Sequence, residues 1–367
     1  MEAFDLLGAG LLNALQPHNF LILVAGMMVG TVAGALPGIS FVNAMAMSLP
    51  FTYLMAPATA MAFLGGIYVG GVFGGSISSI LINIPGTPAS LPACWEGYPM
   101  TKRGLSRRAL HVALTSSAIG GMMSALLLTF ASPPFAGFAL TFDQPEFFAA
   151  TVLGLLSVVA IAKESPIITL VSLMLGMLIG TVGVDPMFGM PRFSFGLADV
   201  QSGINFIVVM IGLFAVGEVV DLMASKQSLK PSEDGQGGRF SFRELPLIRG
   251  AVARASALGC VIGMIPGAGA TVAAVIAYGI EKQASRRGAR FGTGIEEGLA
   301  APEAAKNATT GAAMIPLLTL GIPGSAATAI MLAALMLHGI TPGPLLFTMD
   351  STLVYTVFAS MLLANLL

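Results

Sequence analysis

Apolar runs of similar length, separated by short polar clusters, dominate the chain. Phe20–Leu36, Ala58–Leu81, Ala109–Ala131, Phe147–Ile161, Ile167–Val182 and Ile204–Met223 each approach the length a helix needs to cross hydrocarbon, about 20 residues at 1.5 Å per residue. Four of the apolar stretches carry a Pro-Gly pair where a plain membrane helix would carry Leu, Ile or Val. These are "GTVAGALPGIS" (30–40), "LINIPGTPAS" (81–90), "GCVIGMIPGAG" (259–269) and "LGIPGSAAT" (320–328). Proline removes a backbone donor and glycine tolerates the dihedrals of a reversal, so each pair is expected to end one half-helix and start another. Thr87 followed by Pro88 reads as an N-cap with proline at the first helical position, and Ser325 is placed to cap its counterpart.

The four breaks form two matching pairs. Gly30, Gly34 and Pro37-Gly38 align with Gly259, Gly263 and Pro266-Gly267, and "NIPGTPAS" (83–90) aligns with "GIPGSAAT" (321–328). A duplication is the reading that repeats of this kind support. The fold expected is an all-α polytopic membrane protein with two inverted-topology repeats, broken or re-entrant at the Pro-Gly motifs. The first repeat is placed at 1–110, connecting transmembrane helices at 111–223 and a polar cytoplasmic linker at 224–250. The second repeat follows at 251–350, and 351–367 begins a further transmembrane segment.

Composition fixes the solvent. Of 367 residues 55% are hydrophobic and 10% charged, and the mean hydropathy is +0.86, which excludes a water-soluble domain of this length. The net charge of −1 conceals a segregation: 14 of the 17 Lys and Arg lie in three clusters, Lys102–Arg108, Lys226–Arg254 and Lys282–Arg290. The positive-inside rule puts all three in the cytoplasm. The four apolar segments between the first two clusters then leave and return, with Lys163 at the inner turn and Arg192 outside. The basic cluster follows the second Pro-Gly in the early half but the first Pro-Gly in the late half, which is what gives the repeats opposite orientation. Ala255–Ile280, flanked by two inside clusters, is expected to enter and return at Pro266-Gly267.

A helix start within the membrane offers unpaired amides and about half a positive charge, a site for an anion. Paired breaks of this kind point to a secondary transporter with its site between the repeats. The candidate substrate residues are Gly38, Ser40, Gly86, Thr87, Ser90, Gly267, Gly269, Thr271, Gly324, Ser325 and Thr328, with Asn83, Asn43 and Ser76 as candidate sodium ligands. Glu303, Asp143, Glu146, Glu218 and Asp221 are expected to reach water near span ends, and Lys306 to pair with Glu303 three residues before it. Cys94 and Cys260 are read as small packing residues, and no cofactor is expected beyond a coupling ion. The linker reads as a solvated connector, not a nucleic-acid site.

Three long blocks, "LLNALQPHNFLILVAGMMVGTVAGALPGIS", "GGSISSILINIPGTPASLPACWEGYPMTKRG" and "FGTGIEEGLAAPEAAKNATTGAAMIPLLTLGIPGSAATAIMLAALMLHGITPGPLLF", resemble the large membrane subunit of tripartite tricarboxylate transporters, the TctA family. The resemblance runs from about residue 8 to the end. It implies a bacterial inner-membrane permease that works with a small membrane subunit and a periplasmic solute-binding protein to import carboxylates, usually with sodium. The chain departs from the family pattern at Ile39-Ser40, at Glu96 and at Lys306. Relatives continue past Leu367, so the chain is expected to be a fragment. An anion channel and a stand-alone symporter are the alternatives. An enzyme is not expected, because "GGSISS" lacks nucleophile-elbow spacing and a His or Asp pair.

Overall fold

The computed structural model describes residues 2–161, 165–185, 190–201 and 245–367, with Gly203, Ile204, Val208, Val209 and Gly212 between them. Most of the predicted span Ile204–Met223, residues 224–244 of the linker, Lys163, Glu218 and Asp221 lie outside the described residues. The helices are α1 (Glu2–Ala14), α2 (Pro17–Ala35), α3 (Phe41–Thr52), α4 (Pro57–Ile82), α5 (Leu91–Lys102), α6 (Ser106–Ala139), α7 (Gln144–Ile161) and α8 (Pro166–Gly180). After them come α9 (Leu245–Met264), α10 (Gly269–Ala284), α11 (Glu296–Ala312), α12 (Met314–Leu320), α13 (Ala326–Leu337) and α14 (Ser351–Leu366). Helix α9 starts inside the stretch read as linker. A two-residue antiparallel ladder pairs Gly183–Val184 with Pro191–Arg192, and Arg192 makes an ion pair with Asp185 across it. Among the described residues α2, α4, α6 and the Leu247–Met264 part of α9 are long and apolar enough to cross a membrane.

Glycine rows explain which helices meet. A Cβ added at Gly26, Gly30 or Gly34 would lie closer than 3.0 Å to the carbonyls of Phe63, Ile67 and Gly71 respectively. Side chains there would force α2 and α4 apart, so small residues set the approach. Both numbers rise together, so α2 and α4 run parallel, and α3 carries the chain back between them. The late half repeats this: Gly259 abuts Ala305 and Gly263 abuts Thr309, so α9 and α11 are also parallel, with α10 as the return. In the gap-free register that matches Asn83 to Gly321, Ile67 matches Ala305 and Gly71 matches Thr309. The aligned glycines therefore touch aligned backbone.

Helices α4 and α11 form the centre. Most of α4 is buried, and every residue of α11 from Gly298 to Ala312 is buried. They run antiparallel, since Ser76 meets Glu303 and Lys306 while Tyr68, two turns earlier, meets Thr309. Helix α6 covers α11, with Gly120 against Ala304 and Gly311 against Ser124. Helix α14 packs on α1, α4 and α6, and its Asn365 accepts from Asn307 Nδ2 of α11 at 2.9 Å.

A buried carboxylate joins the halves at one end. Glu96 on α5 is fully buried and accepts from the backbone N–H groups of Gly292, Gly294 (2.7 Å) and Ile295 (3.0 Å), and from the Tyr278 hydroxyl (2.9 Å). Gly292 and Gly294 have φ near +88° and +86°, which turns successive amides onto one anion, and the last of them belongs to the residue that begins α11. Arg108 pairs with Glu296 at 3.1 Å and Arg287 with Glu297 at 2.9 Å on the same side. Arg254 of α9 grips Glu281 of α10 through three hydrogen bonds of 2.7–3.1 Å.

Two stability outcomes follow. Gly30→Ala and Gly259→Ala should each lower stability by about 1–3 kcal/mol, an overpacking cost. Gly279→Ala, with open space around its new Cβ, should instead gain roughly 0.5–1 kcal/mol. Thermal unfolding in detergent, followed by size exclusion, reads the difference, and equal responses at all three sites would refute the close-packed rows. Glu96→Gln, which keeps one good acceptor where four donors converge, should cost about 1–3 kcal/mol. Limited proteolysis at Arg286–Arg290 should accelerate, and an unchanged cleavage rate would show that the carboxylate does not hold the loop.

Candidate functional site

Each Pro-Gly element is built by the local chemistry that its sequence announces. At the first, Gly38 takes φ +93° and Ser40 caps α3, its Oγ accepting from Val42 N at 3.2 Å. At the third, Gly267 takes φ +83° just ahead of α10 and Gly269, its first residue, φ +63°. At the second, Asn83 ends α4 in the left-handed region at φ +58°, and Thr87 precedes a short 3-10 turn, Pro88–Ser90, that leads into α5; its side chain makes no backbone cap and meets Ser90 Oγ instead, unlike the cap expected of it. At the fourth, Gly321, aligned with Asn83, ends α12 at φ +71°. Ser325 and Thr328 then form a reciprocal capping box of 2.8 and 3.3 Å at the start of α13.

Within each half the two breaks lean on one another. A Cβ at Gly86 would collide with the Gly34 carbonyl and with Gly75; one at Gly324 would meet the Gly263 carbonyl and Ala313, the matching atoms of the late half. The Gly267 amide donates to the Gly324 carbonyl at 3.0 Å. Breaks separated by tens of residues are thereby held as one unit.

All four elements open onto one cavity of about 280 Å³. Its wall is made of Ser40, Phe41 and Val42 from the start of α3, Thr87, Pro88 and Ala89 from the turn into α5, Gly269, Ala270 and Thr271 from the start of α10, and Ser325, Ala326 and Ala327 from the start of α13, with Tyr68 and Val72 between them. Three helix starts and one 3-10 turn thus face one space. The first amides of a helix have no acceptor within it, and no lysine or arginine is among the lining residues.

Of the sequence-predicted residues, Ser40, Thr87, Gly269, Thr271 and Ser325 line the cavity. Gly38, Gly86, Gly267 and Gly324 shape the reversals behind it. Thr328 is buried and used by the capping box. Asn83 is an exposed helix cap, and Asn43 is buried on α3. Ser90 and Ser76 lie behind Thr87 in a polar cluster: Thr87 Oγ1 is 2.9 Å from Ser90 Oγ, Ser76 donates to Glu303 Oε1 at 2.6 Å, and Lys306 Nζ donates to Ser90 at 3.3 Å and to Ser76. The i, i+3 pair of Lys306 with Glu303 forms as expected, at 2.9 Å.

The expected solvent exposure of Glu303 is corrected. Its side chain is 1% exposed and that of Lys306 0%, because α11 lies inside a shell formed by α4, α6, α9 and α10 instead of ending at an interface. Asp143 and Glu146 are exposed as expected, and both cysteines are buried free thiols. Tyr68 was not among the candidates. Its hydroxyl interacts with Ser325 and Thr309, so it reaches from the early half to the late half's break. Extending the gap-free alignment backwards from Asn83/Gly321 pairs Tyr68 with Lys306, the one signal in the sequence that could have singled it out.

Comparison with known proteins places this geometry. An uncharacterised 52.8 kDa protein from the TAR-I ttuC' 3' region of Agrobacterium vitis is 38% identical over all of this chain and 73% of its own length. A second uncharacterised protein, from the TAR-II ttuC' 3' region of the same organism, is 44% identical over 30% of this chain and 45% of its own length. No solved structure matches the chain. The tripartite tricarboxylate transporter TctA family matches residues 20–367. The chain therefore belongs to the TctA family, as a multi-pass membrane component of a tripartite transporter.

Proposed function

We propose that the chain is the permease subunit of a binding-protein-dependent secondary transporter that imports a di- or tricarboxylate across a bacterial inner membrane, and that the cavity at the four breaks is its solute site. The convergence of three helix starts and a 3-10 turn on one small, hydroxyl-lined space supports this reading most directly. Each helix start contributes roughly half a positive charge, and an anion there gains amide donors. The hydroxyls of Ser40, Thr87, Thr271 and Ser325 supply further donors at different points around the wall.

In this reading the halves are inverted repeats. The matched glycine contacts and the antiparallel course of α4 and α11 support it, since equivalent central helices of inverted halves must point in opposite directions. Sodium is the proposed coupling ion, with Asn43 and Asn83 as candidate donors. A small membrane subunit and a periplasmic binding protein are the proposed partners, as the tripartite family implies.

Uptake of radiolabelled di- and tricarboxylates into proteoliposomes holding the full-length protein and both partners, with and without a sodium gradient, tests the proposal. Thr87→Ala and Ser325→Ala should each reduce uptake at least tenfold, about 1.4 kcal/mol. Thr328→Ala separates binding from capping: it weakens the same cap but removes no cavity hydroxyl, and should retain most activity. Gradient-independent leak would indicate a channel, and full activity in both hydroxyl variants would move the site elsewhere.

A further inference from the structure

Behind the cavity wall lies a set of atoms that the anion site does not use. Lys306 Nζ carries three N–H donors, and three oxygens surround it: Glu303 Oε1 at 2.9 Å, Ser90 Oγ at 3.3 Å and Ser76 Oγ in hydrogen-bond contact. The acceptors come from three elements, α11, the turn after the second break and α4, and they are tied together. Ser76 donates to Glu303 at 2.6 Å and stands 3.4 Å from Ser90, which in turn meets Thr87 at 2.9 Å. All are buried: Ser76, Ser90 and Lys306 are 0% exposed and Glu303 is 1% exposed. Glu303 Oε2 is buried and makes no hydrogen bond among the described residues, so the carboxylate has acceptor capacity beyond what the ammonium takes.

A buried ion pair is a poor device for stability. Desolvating both charges costs as much as their attraction returns, and apolar replacements of similar volume are often as stable. What the arrangement does provide is a carboxylate and two hydroxyl oxygens converging on one positive charge, the donor set that hard monovalent cations take. The matching position in the early half holds Tyr68, a neutral group. The charge is therefore no requirement of the duplicated frame.

We infer that Ser76, Ser90 and Glu303 form a monovalent-cation site whose occupant in this chain is the tethered ammonium of Lys306. The lysine fills the site permanently, so no free ion enters it, and its stem from α11 clamps α4 and the second break onto the late half. Removing the ammonium leaves one negative charge and a vacated oxygen cradle, which a free sodium, potassium or ammonium ion of the medium then fills. This inference concerns atoms outside the anion cavity and holds whether or not that cavity transports carboxylates.

The test uses full-length protein, Lys306→Ala and the double variant Glu303→Gln/Lys306→Ala. Thermal midpoints are compared in NaCl, KCl and NH₄Cl against choline chloride at equal ionic strength. The single variant should show a saturable rise of about 4 °C or more with at least one small cation, beyond the response of the unmodified protein. The double variant, lacking the negative charge, should lose that extra rise. An identical salt response in all three proteins would overturn the inference. Should Lys306→Ala fold poorly, recovery in a small cation but not in choline supports it. Failure in every salt, with the double variant recovered, overturns it, because no free ion then replaces the ammonium. Proteoliposome uptake is a separate readout, so failure of the cradle and failure of the carrier reading are distinguishable.

Discussion

A helix that stops in apolar surroundings leaves backbone carbonyls on one side of the gap and amides on the other, and with no water present both must find partners in the protein. At the four Pro-Gly elements helices stop and start again, and their end groups are met locally. The left-handed residues Asn83 and Gly321 close the carbonyl ends. On the amide side, Ser40 and Ser325 satisfy some of the donors with their own side chains. The starts of α3, α10 and α13 and the turn after the second break face a common cavity.

Close helix approach makes this affordable in space. Gly26, Gly30 and Gly34, and later Gly259 and Gly263, bring the first limb of each half within backbone contact of a central helix. The tip of each hairpin is then fixed against the next break, as the contacts of Gly86 and Gly324 with the Gly34 and Gly263 carbonyls show. The cavity is consequently supported by rigid limbs even though its wall is made largely of helix ends at breaks in the chain.

The Pro-Gly pairs, the aligned glycines and the hydroxyl caps were legible in the sequence because they act locally: proline, glycine and Ser or Thr constrain their own backbone wherever they stand. Residues whose role depends on depth were not. Nothing near "APEAAKNA" distinguishes a helix at an interface from one enclosed by four neighbours, so Glu303 read as solvated. Tyr68 sits in an apolar run with nothing beside it to set it apart. Glu96 was visible only as a departure in a motif, since its partners are backbone amides almost 200 residues away, and amides carry no residue identity for a sequence to display.

The matched positions Tyr68 and Lys306 also break the equivalence of the two halves. Each reaches across to the other half's second break, one as a phenol at Ser325 and the other as an ammonium at Ser90. Parting the first contact separates neutral groups, whereas parting the second pulls a positive group away from hydroxyls that it shares with a carboxylate. Two sides with matched contacts therefore differ in the work needed to separate them, and a single side chain makes them unequal.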